Sequence, residues 1–517
     1  NTLYHFRVNG ANCAGTVNGS DLTFTTPCTT ATATVNTPTG VAATSATLRG
    51  SVNANNVSTT VLFEYGIDTN YGSSVAASPV TVTGSSVTPV TAVISGLTPN
   101  ATYHYRVKTA TCGGASYSSD QAFSTICAAP TASTAAATAI GISGATFNGS
   151  VNPNYGNATV TFDYGTTTSY GLSATAAQSP VTGNTPTAVS ATVTTLAQGT
   201  TYHYRTRVLT CYGTPILGSD QVFQTLCNAP TATTSPANVT DPVAGRAVLY
   251  GVVNGGGNST TVQFEYGTST AYGTTVYGSP SSVSGSSNTA VSATITGLTE
   301  GTVYYFRVKA TSCYGTVYGA SERFVLDING NLYHIVSYLV RSKLGGYITY
   351  TWMKENLRAT SYSDLTPVPP GCDTCTMYSI SYKPYGGISS NADVYGMLYN
   401  GVTVNSPKNI CPTGWHVPTY SEWTSLINYA GTTTAAGKLK EVGNVHWYSP
   451  NTGAEDFIGF SARGGGYATS SASYGLNTYG YWWADGTLQY IRLIYNDATV
   501  VSNTVSEDYY FSIRCKK

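Results

Sequence analysis

The chain has 517 residues, of which 9% are charged, and its formal net charge is zero. Ordinary globular proteins carry roughly 25% charged residues, and the neutral balance gives no sign of nucleic acid or an anionic membrane as a partner. No apolar run is long enough to span a bilayer. The 41 Tyr, with abundant Val and Thr, instead read as a mainly β chain of sandwich domains.

Residues 1–27 hold two strand patterns, and the first contains Tyr4-His5-Phe6-Arg7. That pattern returns as Tyr103-His104-Tyr105-Arg106, Tyr202-His203-Tyr204-Arg205 and Tyr304-Tyr305-Phe306-Arg307, at steps of 99, 99 and 102 residues. A period near 100 residues predicts tandem domains, each with its own core. Alternating aromatics within the pattern predict an antiparallel strand with one buried face. Set against the later repeats, residues 1–27 supply only the last two strands of such a domain. A lone hairpin is marginal in water, so the expectation is that further strands come from upstream sequence or from another copy. The lack of a leader sequence is uninformative about export.

Three full repeats follow, at 28–126, 127–226 and 227–326. Each starts at a cysteine (Cys28, Cys127, Cys227), continues to Gly-Ser-Val-Asn or Gly-Val-Val-Asn, and then reaches Phe-Glu/Asp-Tyr-Gly at 63–66, 162–165 and 264–267. A leucine (Leu97, Leu196, Leu298) precedes the Tyr strand, and a final strand ends in Phe123, Phe223 or Phe324. The run Leu97-Thr98-Pro99-Asn100-Ala101-Thr102-Tyr103 and the alternating Tyr-x-Tyr-Arg-Val after it resemble fibronectin type III domains. The resemblance implies a β-sandwich whose corner tyrosine closes a turn through its hydroxyl. It implies no particular function. The core Trp usual in that family is absent, and Phe63, Phe162 and Phe264 are the candidates to replace it. No Arg-Gly-Asp tripeptide occurs.

Eleven cysteines in so uncharged a chain point to an oxidising, extracellular setting. Pairing Cys112 with Cys127 across the last hairpin is excluded by reach. The turn lies near Gly113-Gly114, so the two cysteines would sit tens of ångströms apart at roughly 3.3 Å per residue, against a Cα limit of about 7 Å. In a fibronectin-type sandwich that hairpin tip lies at the pole where the domain begins. The resemblance therefore implies Cys28–Cys112, Cys127–Cys211 and Cys227–Cys313. Cys13 is left without a partner in this scheme, and is expected to be unpaired or bonded to an upstream segment or to a neighbouring copy.

From Asp327 onward the composition changes, and all six Trp and all three Met lie beyond it. Residues 327–333 read as strand, Asn-Gly turn, strand. Their Asp-x-Asn-x-Asn spacing lacks the Glu that a calcium loop needs at its twelfth position, where Tyr338 stands, so no metal is expected there. The motifs Trp352-Met353-Lys354-Glu355-Asn356-Leu357-Arg358, Tyr395-Gly396-Met397-Leu398-Tyr399-Asn400 and Cys411-Pro412-Thr413-Gly414-Trp415-His416-Val417-Pro418 come next. They are followed by Gly437-Lys438-Leu439-Lys440, Tyr481-Trp482-Trp483 and Phe511-Ser512-Ile513-Arg514-Cys515. In this order they resemble the Fibrobacter succinogenes major paralogous domain, over roughly 327–517. The resemblance implies a surface or secreted protein of Bacteroidota-like bacteria and an α+β domain akin to C-type lectins and formylglycine-generating enzymes. Residues 419–429 predict a helix, with Thr419 or Ser421 as cap and Trp423, Leu426 and Ile427 as its apolar stripe. Cys411 and Cys515 are expected to close the domain. Cys372 and Cys375 are expected to form a local disulfide rather than a zinc or redox pair, because His334, His416 and His446 show no ligand spacing.

No catalytic motif stands out. Gly464-Gly465-Gly466 lacks the Lys-Ser/Thr of a phosphate loop, Gly-x-Ser-x-Gly and His-Glu-x-x-His are absent, and Glu441, Glu455 and Asp456 read as solvated acids. No catalytic residue, metal or cofactor is expected. Trp447, Tyr448, Trp482 and Trp483 are candidate ligand-facing aromatics. Adjacent Trp482 and Trp483 on a strand point to opposite faces, however, so at least one belongs to a core. The lectin calcium motifs Glu-Pro-Asn and Gln-Pro-Asp are absent. The sequence thus predicts an extracellular, non-enzymatic surface protein, a subunit of a fibre built from other copies of itself. The alternative is a monomeric adhesin whose head binds a surface glycan or protein.

Overall fold

The computed structural model describes residues 2–239, 242–341, 345–371 and 380–517. The Cys372–Cys375 pair lies outside the described residues. The chain is mainly β and forms two compact units, one ending at Leu226 and the other starting at Cys227. No described helix is long and apolar enough to cross a membrane.

Within the first unit, residues 28–126 form an antiparallel sandwich. Strands Thr32–Thr39, Ser45–Asn53 and Val87–Ser95 pair on one side, and Thr59–Gly66, Thr102–Thr111, Gly114–Tyr117 and Gln121–Ser124 on the other. Ser73–Val82 borders both sides. Residues 127–226 repeat the plan with Thr131–Thr138, Ala145–Asn152 and Thr187–Val193 against Thr159–Gly165, Leu172–Thr175 and Thr201–Leu209. Strict alternation puts Leu48, Val52, Phe63, Tyr105 and Val107 in the first core, and Phe147, Phe162, Tyr204 and Val208 in the second. Phe63, Phe162 and Phe264 are each fully buried in the core of their sandwich.

The repeated motifs have local causes. The hydroxyls of Tyr103, Tyr202 and Tyr304 accept the backbone N–H of Thr98, Ala197 and Thr299, each at 3.0 Å, and so close the corner before the strand. In Phe-Glu/Asp-Tyr-Gly the acid takes the repeated arginine: Glu64 binds Arg106 at 2.7 Å, Asp163 binds Arg205 at 3.3 Å and Glu265 binds Arg307 at 2.8 Å. The closing glycine is forced, because a Cβ on Gly66, Gly165 or Gly267 would run into the backbone carbonyl of Tyr71, Tyr170 or Tyr272. Those tyrosines have positive φ (64°, 58° and 59°), a costly conformation for a bulky residue. Their rings lie under the same arginines, at 4.5, 4.4 and 4.5 Å, which helps hold the turn.

In residues 2–27, Leu3–Phe6 pairs with Leu22–Thr25, and Asn9–Asn12 pairs with Gly15–Asn18. Tyr4, Phe6 and Phe24 are 49%, 50% and 53% exposed, whereas their counterparts Tyr103, Tyr105 and Phe123 are 7%, 0% and 9% exposed. The difference is an uncovered aromatic face.

In the second unit, the third sandwich and the head share a sheet. Strand Glu322–Leu326 pairs with Tyr304–Ser312 on one edge and with Leu332–Arg341 on the other, and Leu332–Arg341 then pairs with Tyr347–Met353. Phe324, Leu326 and Leu332 point into the sandwich core, while Val325, Tyr333 and Ile335 point into the head core. The domain change expected at 326/327 therefore falls inside a hairpin that serves both cores. Asp327 holds the turn. Its carboxylate accepts the N–H groups of Asn329 and Asn331 (both 2.9 Å), the Asn331 amide (2.8 Å) and the Tyr333 hydroxyl (2.7 Å). Those donors take the lone pairs a cation would need.

The head adds a sheet in which Tyr479–Ala484 and Gln489–Ile494 lie centrally and Tyr510–Ser512 returns beside Leu398–Asn400. Its main helix is Tyr420–Ala430, with Thr419 and Glu422 making a reciprocal capping box and Trp423, Leu426 and Ala430 buried. Burial alone would raise the Glu422 pKa, but hydrogen bonds from His416, Lys516 and the Thr419 N–H bring it down to about 2. The head also grips the sandwich beneath it. Trp415 Nε1 donates to the Gly301 carbonyl at 2.9 Å, and the Thr413 N–H donates to Glu300 at 2.6 Å.

Candidate functional site

Asn356 is where the scattered head motifs meet. It is 5% exposed, and its amide uses all four of its hydrogen-bonding positions. Nδ2 donates to the Tyr395 carbonyl (2.8 Å) and the Ser512 hydroxyl (3.3 Å), and Oδ1 accepts from Trp482 Nε1 (2.8 Å) and Arg514 Nε (3.1 Å). Four segments separated by up to 158 residues are tied at this point.

Beside Asn356 opens a cavity of about 550 Å³, at the foot of the head and against the third sandwich. Its charged lining consists of Glu322, His334, Lys354, Glu355, Arg358, Asp393, Glu441, Arg463 and Arg514. Most of these groups are matched. Arg463 binds Glu441 at 2.9 Å, and Glu441 also holds the His446 imidazole. Arg358 meets Asp393 at 3.5 Å and the Leu332 carbonyl at 3.3 Å. Arg514 is different. It is 1% exposed, stacks on Phe460 at 4.2 Å, gives Nη1 to the Phe460 carbonyl, and has no carboxylate partner among the described residues. Burial lowers its pKa to about 9, which leaves the guanidinium charged at neutral pH. Lys354 likewise has no ion pair among the described residues.

His334 bridges head and sandwich across the cavity wall. One ring nitrogen faces Glu355 at 2.7 Å and the other faces the Ala237 carbonyl at 2.9 Å, so both nitrogens meet acceptors and the imidazolium is favoured. Burial alone would lower its pKa, but the Glu355 carboxylate and the Ala237 carbonyl outweigh that and raise it. Glu355 correspondingly titrates below its ordinary value: burial opposes the shift, and His334 overcomes it. A raised histidine pKa contributes stability that is complete below about 6.5 and is lost as pH rises through the folded-state value. The second unit should therefore melt about 2–4 °C lower in alkaline than in mildly acidic buffer for each kcal/mol the bridge contributes. His334→Phe should flatten that pH dependence in scanning calorimetry.

Of the residues singled out by sequence, eight of the cysteines are paired as expected, and Cys372 and Cys375 lie outside the described residues. Cys28–Cys112, Cys127–Cys211, Cys227–Cys313 and Cys411–Cys515 are disulfides with Cα separations of 5.7, 5.9, 6.1 and 5.8 Å. Cys13 is exposed and free. The aromatic candidates are corrected. Trp447, Trp482 and Trp483 are at most 1% exposed, and their indole N–H groups are held by Ala462, Asn356 and Tyr399. Trp482 and Trp483 do point to opposite faces, but each face of that strand carries a core. Tyr448 alone of the four is exposed, at 57%. Sequence reasoning missed Arg514, Lys354, Glu355 and His334 as neighbours. It also missed Lys440, whose ammonium is caged by the carbonyls of Ile494, Tyr495 and Asp497 at 3.0–3.2 Å and whose pKa burial lowers to about 8.

No curated protein matches the chain. Among solved structures, the FN1–FN3 domains of chicken CNTN1 align at 13% identity, covering 57% of this chain and 97% of that one, with a TM-score of 0.20. The sensor domain of the anti-sigma factor RsgI4 in Pseudobacteroides cellulosolvens aligns at 21% identity over 19% of this chain and 89% of its own, with a TM-score of 0.15. Asn356 with its hydrogen-bond partners, the cavity-lining residues Lys354, Glu355, Arg358, Arg463 and Arg514, and the Cys411–Cys515 closure fall within 347–517, the segment that matches the Fibrobacter succinogenes major domain family.

Proposed function

We propose that the chain is an extracellular, non-enzymatic surface protein of Bacteroidota-like bacteria, in which disulfide-braced sandwiches present a lectin-like, ligand-binding head. The observation that carries this reading is the polar cavity at the foot of the head, walled by side chains whose positions are set by buried hydrogen bonds. A preformed cavity of this size suits a small ligand or the tip of a larger one. Disulfides agree with an oxidising compartment. The fold kinship of the head is supported by its C-terminal strand, which folds back on the first: the Met353 N–H donates to the Cys515 carbonyl and the Leu357 N–H to the Ile513 carbonyl. Labelled full-length chain, applied to arrays of glycans and surface proteins, should be retained where the unit of residues 1–226 is not. Equal retention of the two would refute the reading.

In the second reading the chain is a fibre subunit that assembles with other copies of itself, and concentration-dependent self-association in sedimentation would favour it.

A further inference from the structure

We propose that the cavity at the foot of the head binds a carboxylate-bearing sugar, with Arg514 and Lys354 receiving the carboxylate. The inference rests on the head being a ligand-binding module and adds the chemical class of the ligand.

Charge matching leads to this assignment. Four carboxylates line the cavity, and three are engaged: Glu355 by His334, Glu441 by Arg463 and His446, and Asp393 by Arg358. Against the four acids stand Lys354, Arg358, Arg463, Arg514 and the His334 imidazolium, a surplus of one positive charge. A single carboxylate balances that surplus. A doubly charged phosphate would overshoot it and meet Glu355 and Glu441 with like charge.

Arg514 is built to receive such a group. Its Nε and Nη1 are fixed by Asn356 and Phe460, and its ring-stacked plane is held against Phe460, while Nη2 has no acceptor among the described residues. A charge-assisted bond from Nη2 to a ligand oxygen is shorter and stronger than a bond between neutral partners. The guanidinium needs no reorganisation on binding, because the Asn356 network has already set its orientation.

The rest of the wall favours a polyhydroxylated ring over a peptide terminus. Glu322 and Glu355 offer acceptors, Lys354 and Arg358 offer donors, and no Phe, Tyr or Trp side chain is among the lining residues. Sugar hydroxyls both donate and accept, so they can use such a mixed wall.

Isothermal titration of the full chain with methyl glucuronide, methyl glucoside and N-acetylalanine tests the assignment. Glucuronide is expected to bind at least about tenfold more tightly than glucoside, the order of one charge-assisted hydrogen bond. Arg514→Gln should abolish the difference. Arg514 is buried, so Lys354→Gln, at a partly exposed site, provides the second variant and should reduce the difference several-fold with an unchanged melting curve. Equal binding of glucuronide and glucoside, or binding of neither, overturns the carboxylate assignment. Preference for N-acetylalanine overturns the sugar assignment in favour of a peptide carboxylate. Retention of the full chain on the arrays, with any of these results, would show that only the ligand class had failed.

Discussion

Replacing Asn356 with leucine is expected to cost the head about 4 kcal/mol or more. The change leaves the buried Trp482 indole N–H, the buried Arg514 Nε–H and the Tyr395 carbonyl without the partner that Asn356 supplies. Each buried group left without a partner costs about 1–3 kcal/mol. Asn356→Asp keeps the acceptor for Trp482 and Arg514 and loses only the two donated bonds, so its loss should be smaller. Trp fluorescence is the natural readout. All six Trp lie between 352 and 483, so a denaturant titration followed this way reports the head and is blind to the two sandwiches of the first unit. If Asn356→Leu unfolds at the same denaturant concentration as the parent, the four bonds are not what holds the motifs together.

Removing the Cys411–Cys515 bond by Cys411→Ala with Cys515→Ala should have an effect of similar size. The bond closes a 104-residue separation, and in the chain-entropy account a loop near 100 residues is worth about 4.7 kcal/mol. Both sulfurs are fully buried in the head core, so alanine also leaves a void there. Cys127–Cys211 spans a separation of 84 and has a comparable entropic term, yet it sits at a partly exposed pole away from Phe162 and Tyr204. Its loss should destabilise the second sandwich without disturbing its packing. The same fluorescence titration separates the cases: the head pair moves the Trp transition, and the stalk pair leaves it in place.

These contrasts show which features a sequence can reveal. The tyrosine corner, the Phe-Glu/Asp-Tyr-Gly turn and the capping box at Thr419 and Glu422 are made by residues within a few positions of each other, or by a repeat that prints them three times. Their chemistry is written locally. The cavity is not, because the hairpin that carries His334 and Lys354, the segment of Arg463 and the segment of Arg514 lie far apart in the chain, and only the closed fold brings them around one space. The aromatic candidates failed for another reason. Alternation assumes one wet face, and Tyr479–Ala484 has cores on both, so a run of Tyr and Trp there records burial rather than display. Arg514 and Lys440 are misleading in the opposite sense. Charged residues are presumed to face water, yet both are enclosed, each paired with backbone carbonyls.

The strand Glu322–Leu326 has a mechanical consequence. Because one face feeds the sandwich core and the other the head core, a pull on the head is not borne by a single swivelling peptide. The load enters Leu332–Arg341 and passes sideways through the hydrogen-bond ladder into Tyr304–Ser312. Bonds loaded together in shear must rupture together, and neither body can be peeled from the other without opening its own interior. The head and the sandwich beneath it should therefore yield to force as one cooperative block, holding the cavity's shape until that block gives way.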